Sequence, residues 1–301
     1  MIRKMFVLLL VVCVLLLAPL PVSHAQSDRS TLIAFVAAAY EATTVNQSFT
    51  KQDTTELSMT LATQGISIEM LLDSTSESVA QLGATLEDHI MQSKVTQHIK
   101  MSLATGQVSE GDMVSEMILL NGVLYMRALE QNGILAGTQS EKWQTLTKTE
   151  SSEGMSDGAL NYDALLSTMI GARLALTDES VLSIVEVAAD PIDGQTMRAF
   201  EIEFNAAALG DLITQMAGAF NLGNMGVDVE QLLQDMFENA KIQTKLWVGV
   251  EDNLIHRTEN AIEIDTELEL MGYTFDLKMV QRSTENYSDF GRTVEVSVPR
   301  D

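Results

Sequence analysis

The sequence predicts an α+β fold, a large antiparallel sheet with amphipathic helices laid on one of its faces. Three observations carry that reading. Apolar and polar residues alternate with period two through the last sixty residues, the pattern of strands with one buried and one wet face. Asn121-Gly122 and Asp193-Gly194 each stand between apolar runs, the pairing a tight hairpin turn requires. Between these pieces lie segments whose apolar residues recur every three or four positions, the spacing of a helix with one buried stripe.

In chain order, Ser30 is the expected cap of a helix over Thr31–Thr43, with Leu32, Phe35, Ala39 and Tyr40 on one side. Phe49, Leu57, Met59 and Leu61 share one parity, as on one face of a long strand. Ile66, Ile68 and Met70 suggest a second alternating piece, and Glu87–Met101 fits strand or helix. Met113–Leu129 reads as a hairpin about Asn121-Gly122. The polar stretch 130–160, with Trp143, reads as a long mobile loop. A helix is expected from Asn161, carrying Leu165, Leu166, Met169, Ile170 and Leu174. The second hairpin, Ser180–Ala189 with Thr196–Phe204, follows. A helix pair comes next: one from Asn205, and one from Asp228, which has Gln231 in capping-box spacing. Alternating strands containing Ile242–Val248, Ile262–Leu270 and Phe275–Met279 complete a meander.

Residues 1–25 read as a secretory signal. Arg3 and Lys4 precede an uncharged apolar run from Met5 to Ala18, and Ser23-His24-Ala25 offers small residues at a cleavage site. The run is shorter than the roughly 20 residues of a spanning helix. Cys13, the chain's one cysteine, lies inside it. Cleavage therefore leaves no disulfide and no cysteine-based zinc site. It also removes two cations from a chain of 18 Lys+Arg and 42 Asp+Glu, whose formal charge is −24. So acidic a chain is not a general nucleic-acid binder, because phosphate neutralisation takes clustered cations. The charge reads instead as solubility.

Motifs for chemistry are sparse. Glu263, Asp265, Glu267 and Glu269 form an acidic row, but a straight strand spaces them about 6.5–7 Å apart and aims them in parallel. A calcium loop converges its ligands instead. The row is expected to be a solvated face, offset by Lys241, Lys245, Lys278 and Arg282 on neighbouring strands. His89, His98 and His256 have no metal-ligand spacing. There is no nucleophile elbow, Walker loop or dinucleotide fingerprint, and Gly218–Gly226 follows a helix and lacks lysine. Methionines are abundant, at 17, and a flexible thioether suits a pocket that adapts to apolar ligands.

Three late segments carry a family resemblance. Asp193-Gly194-Gln195-Thr196 lies in a hairpin before a helix. Leu246-Trp247-Val248-Gly249-Val250 is followed by Asp252, Asn253, Leu254, Ile255, His256 and Arg257. Tyr287-Ser288-Asp289-Phe290-Gly291 precedes alternating Val294, Val296 and Val298, then Pro299. Together they resemble the LppX/LprAFG-type proteins and the wider LolA/LolB-like superfamily, in detail over 190–299 and in outline over the mature chain. The resemblance implies one domain over 26–301, a curved antiparallel half-barrel sheet with helices packed on its concave face. An apolar cavity would lie between the layers. It also implies binding or carrying of lipids, or of lipid-modified proteins, outside the cytoplasm. The sequence lacks the lipobox cysteine of mycobacterial-type members, so a lipoprotein is not expected.

The expected function is that of an exported, non-enzymatic carrier of an apolar ligand such as a lipid, without cofactor, metal or catalytic residue. Its partner would be a membrane donor or acceptor protein. The expected cavity lining is Leu209, Leu212, Met216, Phe220, Leu232, Met236, Leu246, Ile264, Leu268 and Leu277. The alternative is a secreted or cell-surface interaction module with a filled core, using loop 130–160 and the acidic face. A hydrolase would need a cleft with two converging acids, or a histidine beside an acid.

Overall fold

The computed structural model describes residues 26–44, 48–63, 65–83, 88–146, 180–205, 236, 240–270 and 273–299. The signal segment and the helices expected from Asn161, Asn205 and Asp228 lie outside them, apart from Met236, which is helical and buried. Among the described residues the strands are β1 (Ser48–Thr63), β2 (Ile66–Gln81), β3 (Ile90–Leu103), β4 (Val108–Leu120), β5 (Val123–Gln131), β6 (Gln144–Leu146), β7 (Val181–Val187), β8 (Met197–Phe204), β9 (Lys241–Gly249), β10 (Ile255–Leu270) and β11 (Tyr273–Ser288). They form a single curved open sheet in the order β6-β5-β4-β3-β2-β1-β11-β10-β9-β8-β7. Every neighbour in it is antiparallel. Two meanders thus meet at a central seam where the first strand pairs with the last, Thr50 opposite Ser288 through Ala62 opposite Asp276.

Local chemistry sets these elements. Asn121 and Gly122 have φ of 54° and 71°, so both central residues of the β4–β5 turn are left-handed, as a type I′ hairpin needs. Asp193 and Gly194 repeat the geometry at 50° and 79° between β7 and β8. Of the ambiguous segment Glu87–Met101, the part from Ile90 onward is strand, since β3 is paired there on both sides. Val95 and Thr96 stiffen an extended backbone there, and the paired neighbours decide what local propensity left open.

The first helix, α1, spans Gln26–Thr44, longer than expected, so Ser30 lies inside it rather than at its cap. Ile33, Val36, Ala39 and Thr43 are its buried stripe. Leu32, Phe35 and Tyr40 flank that stripe, half-buried against the core. The helix is fixed to the β7–β10 side of the sheet at both ends. Arg29 Nη2 donates to the Val181 carbonyl (3.0 Å). Thr43 Oγ1 accepts the Ile255 amide (2.8 Å) while donating to the Ala39 carbonyl (2.7 Å). Between these ends Phe35 meets Phe200 at 5.4 Å, and the Arg198 guanidinium lies 4.2 Å over Phe35 while gripping Glu186 with two 2.8 Å bonds.

The stretch expected to be a mobile loop is ordered over its described part. Gly133–Leu135 makes a 3-10 turn whose Leu135 is buried, and β6 adds an edge strand. The close approach depends on two glycines. A Cβ on Gly133, which has φ of 56°, would sit 1.9 Å from the Glu110 carbonyl, and one on Gly111 would sit 2.6 Å from the Asn132 carbonyl. Trp143 packs under Arg127, 4.5 Å from its guanidinium, and Arg127 is itself bridged to Glu116. The alternation of Val294, Val296 and Val298 does not form a strand. Residues 292–299 pair with no ladder, and Val298 is exposed.

Candidate functional site

Strand parity decides what each face of the sheet presents, because residues opposite one another in register point the same way. On the wet face the acidic row stands where expected. Glu263, Asp265 and Glu267 are exposed. Lys278 Nζ bridges Asp265 at 2.8 Å and Arg282 reaches Glu263 at 3.6 Å. A depression of about 620 Å³ lies there, with Asp265, Glu267, Asp276 and Lys278 among its borders. Among the described residues no group of three or more His, Cys, Asp or Glu side chains is placed to hold a metal ion.

Two histidines do stand beside acids. His98 meets Asp112 at 2.7 Å on the wet face, and Asp112 also takes the Asn132 side chain. His256 meets Asp252 at 2.9 Å beside the β9–β10 turn, where Asp252 also accepts the Leu254 amide. Burial pushes the Asp252 carboxyl up, but hydrogen bonds from Gln195, Leu254 and His256 outweigh it and hold the carboxyl below its ordinary range. The first pair ties β3 to β4 across the ladder, and the second staples the β9–β10 turn.

The buried face is banded. Across the middle of the sheet runs a row of four methionines, with Met101 opposite Met70, Met70 opposite Met59, and Met59 opposite Met279. Ile264 continues it on β10. A parallel row holds Ile99, Leu72, Leu57, Gln281, Ile262 and Ile242. These residues belong to the main apolar core, Gln281 apart, with Met101 half-buried at its border. Of the residues expected to line a cavity, Met236, Leu246, Ile264, Leu268 and Leu277 come together in that same core. Leu209, Leu212, Met216, Phe220 and Leu232 lie outside the described residues.

Next to the apolar rows the same face turns polar. Lys51, Asp53 and Thr55 of β1 stand opposite Tyr287, Glu285 and Ser283 of β11. Outward from them lie Ser78, Ser76 and Ser74 on β2, and Thr258 and Asn260 on β10. Beyond the belt, Leu119 and Leu124 form a second, smaller apolar cluster with Met91 and Met117 against it.

Hydrogen bonds knit the belt. Lys51 Nζ donates to Glu285 Oε1 (2.8 Å) and sits 3.5 Å from Asp53 Oδ2. Tyr287 donates to Glu285 Oε2 (2.6 Å), and Thr55 donates to Asp53 Oδ1 (3.1 Å). Ser78 donates to Ser93 (2.9 Å), Thr244 to Asn260 (2.8 Å), and Asn260 to Ser283 (3.2 Å). The Tyr40 hydroxyl comes down from α1 into the field of Glu285, is fully buried, and has no hydrogen-bond partner among the described residues.

Titration follows from this geometry. Burial works against the Lys51 charge, but Glu285 and Asp53 outweigh it, so the ammonium is held above the ordinary lysine range. Burial, reinforced by repulsion from Glu285, pushes the Asp53 carboxyl up in spite of Lys51. Burial and then the Glu285 charge push the Tyr40 and Tyr287 phenols up as well.

This belt is what reading the sequence missed. The signal was present: the parity that gives Phe49, Leu57, Met59 and Leu61 also gives Lys51, Asp53 and Thr55. A polar break inside a buried alternation marks either a strand emerging into water or a buried network. Only pairing with β11 distinguishes them.

No protein-family model matches the chain, and no curated protein matches it. Among solved structures, LprF from Mycobacterium bovis aligns over 93% of this chain and 100% of its own, at 10% identity and a TM-score of 0.39. A DUF1329 family protein from Desulfovibrio piger aligns over 89% and 94%, at 10% identity and a TM-score of 0.26. A β-barrel-like DUF1849 protein from Brucella abortus aligns over 79% and 98%, at 10% identity and a TM-score of 0.18.

Proposed function

We propose that this protein is an exported, non-enzymatic binder or carrier of an apolar ligand, such as a lipid or a lipidated protein, held against the buried face of its sheet. The observation that carries the reading is the methionine row. Four unbranched, polarisable side chains on adjacent strands make a deformable apolar strip. Each ligand methylene laid on such a strip gains about 0.8 kcal/mol, so a long chain needs no anchor of its own for affinity. Met236, Leu246, Ile264, Leu268 and Leu277 share the core that this strip belongs to. The apolar run and small-residue site of residues 1–25 support export, which places the ligand and a membrane donor or acceptor outside the cytoplasm.

Native mass spectrometry of the protein purified without detergent, with uptake of a fluorescent fatty acid, tests the binding. Co-purified lipid or saturable uptake is the expected result. Absence of both overturns the proposal and favours an interaction module with a filled core. Expression with and without residues 1–25, followed by fractionation, tests export. Accumulation of both forms in the cytoplasm would overturn that part.

A further inference from the structure

We infer that the polar belt receives the headgroup of an amphiphilic ligand, and that this headgroup is a protonated amine rather than an anionic group. The inference rests on the proposed apolar-ligand function and adds the chemistry of the ligand's polar end.

Charge is the first argument. In the central cluster Lys51 faces two carboxylates, Asp53 and Glu285. Glu285 has a side chain 2% exposed. With all three ionised, the cluster holds one negative charge in excess among the described residues, in a setting where an uncompensated charge is expensive. An incoming phosphate or carboxylate would deepen that excess, and an ammonium would cancel it.

Hydrogen bonding is the second argument, and it is independent of charge. The Tyr40 oxygen is buried on α1 without a partner among the described residues, and leaving such a group unsatisfied costs about 1–3 kcal/mol. An ammonium donates up to three hydrogen bonds and accepts none. Placed between α1 and the seam, it has acceptors in the Tyr40 oxygen and the spare lone pairs of Asp53 and Glu285. Position is the third argument. The belt borders the methionine row on the same face, so an amine seated at Asp53 and Glu285 leaves its chain lying over Leu57 and Met59.

The test compares three probes of one chain length at pH 7, each below its micelle concentration: dodecylamine, dodecanol and dodecanoate. Binding to the full mature protein is read by displacement of a fluorescent fatty acid and by calorimetry. The expected result is dodecylamine binding at least about tenfold tighter than either of the others. Tyr40→Phe and Asp53→Asn should each bring that preference below about threefold. Tyr40→Phe removes an unsatisfied buried hydroxyl, so it is expected to fold at least as stably as the parent. Equal binding of all three probes would overturn the headgroup inference and leave the apolar-ligand reading standing. Binding of none would overturn both. An amine preference unchanged in Tyr40→Phe and Asp53→Asn would overturn the placement at this belt.

Discussion

Replacing Lys51 by methionine removes the one cation of the central cluster while keeping a long apolar stem in place. Its ammonium lies 2.8 Å from Glu285 Oε1. At an effective dielectric near 20, a unit pair at that distance attracts by about 6 kcal/mol before desolvation is subtracted. Removing one member of a buried pair costs about 3–5 kcal/mol, because the other charge is left uncompensated. Here Lys51 is itself 25% exposed, so water screens part of the loss, and the lower end, about 3 kcal/mol, is the expected cost. In a chain of this size that lowers the melting temperature by roughly 5–10 °C. Glu285→Gln removes the orphaned charge, and the double variant should recover about 2 kcal/mol relative to Lys51→Met. Urea unfolding of the parent, both single variants and the double variant closes the cycle. Since the folded-state lysine is held above its ordinary range, its contribution is fully present below the unfolded lysine pKa and is lost only as pH rises through the higher folded value. The parent should therefore show no loss from this group between pH 7 and about 10. A coupling below about 0.5 kcal/mol would refute the account of a buried, interdependent cluster.

Three further outcomes follow from the same structure. Asp53 has a raised pKa in the fold, so its contribution to stability is present below its unfolded value and lost as pH rises through the folded one. Asp53→Asn should therefore be at least as stable as the parent at pH 7 and lose that advantage below about pH 4, read as urea midpoints at both values. Gly133→Ala places a Cβ against the Glu110 carbonyl at a positive φ, and should cost at least about 2 kcal/mol and speed amide exchange at Leu135. A variant matching the parent would contradict the packed turn. Thr43→Val deprives the buried Ile255 amide of its acceptor; a loss of about 1–3 kcal/mol is expected by thermal melting, and a neutral result would mean that α1 is not held there.

How much of this was legible in the sequence depends on how local each cause was. The turns at Asn121-Gly122 and Asp193-Gly194 need only two residues of the right kind, and both sit at the expected left-handed angles. The wet faces of β10 and β11 were legible because Glu263, Asp265, Glu267 and Lys278 alternate with apolar neighbours. The ordering of 131–146 was not, since it depends on Gly111 of a different strand leaving room for the Asn132 carbonyl. The seam was hidden for the same reason. Nothing near Lys51 in sequence announces Tyr287 or Glu285, which lie more than two hundred residues away and meet it only through the β1–β11 register.

That register raises a rival role for the belt. Period-two apolar strands tolerate slippage by two residues, because the buried set stays on the buried face. If β11 slid by two against β1, Leu57 would face Met279 and Met59 would face Leu277, all still apolar. The apolar rows therefore discriminate poorly between registers. The belt adds one bond across the seam, Lys51 to Glu285, since Thr55 to Asp53 stays within β1 and Tyr287 to Glu285 within β11, and a polar group left unpaired there is costly. A register lock built on that one bond would account for Lys51 and Glu285 without any ligand. It does not account for Tyr40, which sits on the helix, pairs with neither strand of the seam and leaves its oxygen without a partner among the described residues. The two roles separate at that residue. A pure register lock predicts that Tyr40→Phe stabilises the protein and changes no binding, whereas a headgroup site predicts the same gain in stability together with loss of the amine preference. Melting temperature is thus uninformative for this variant, and the ratio of dodecylamine to dodecanol affinity decides between them.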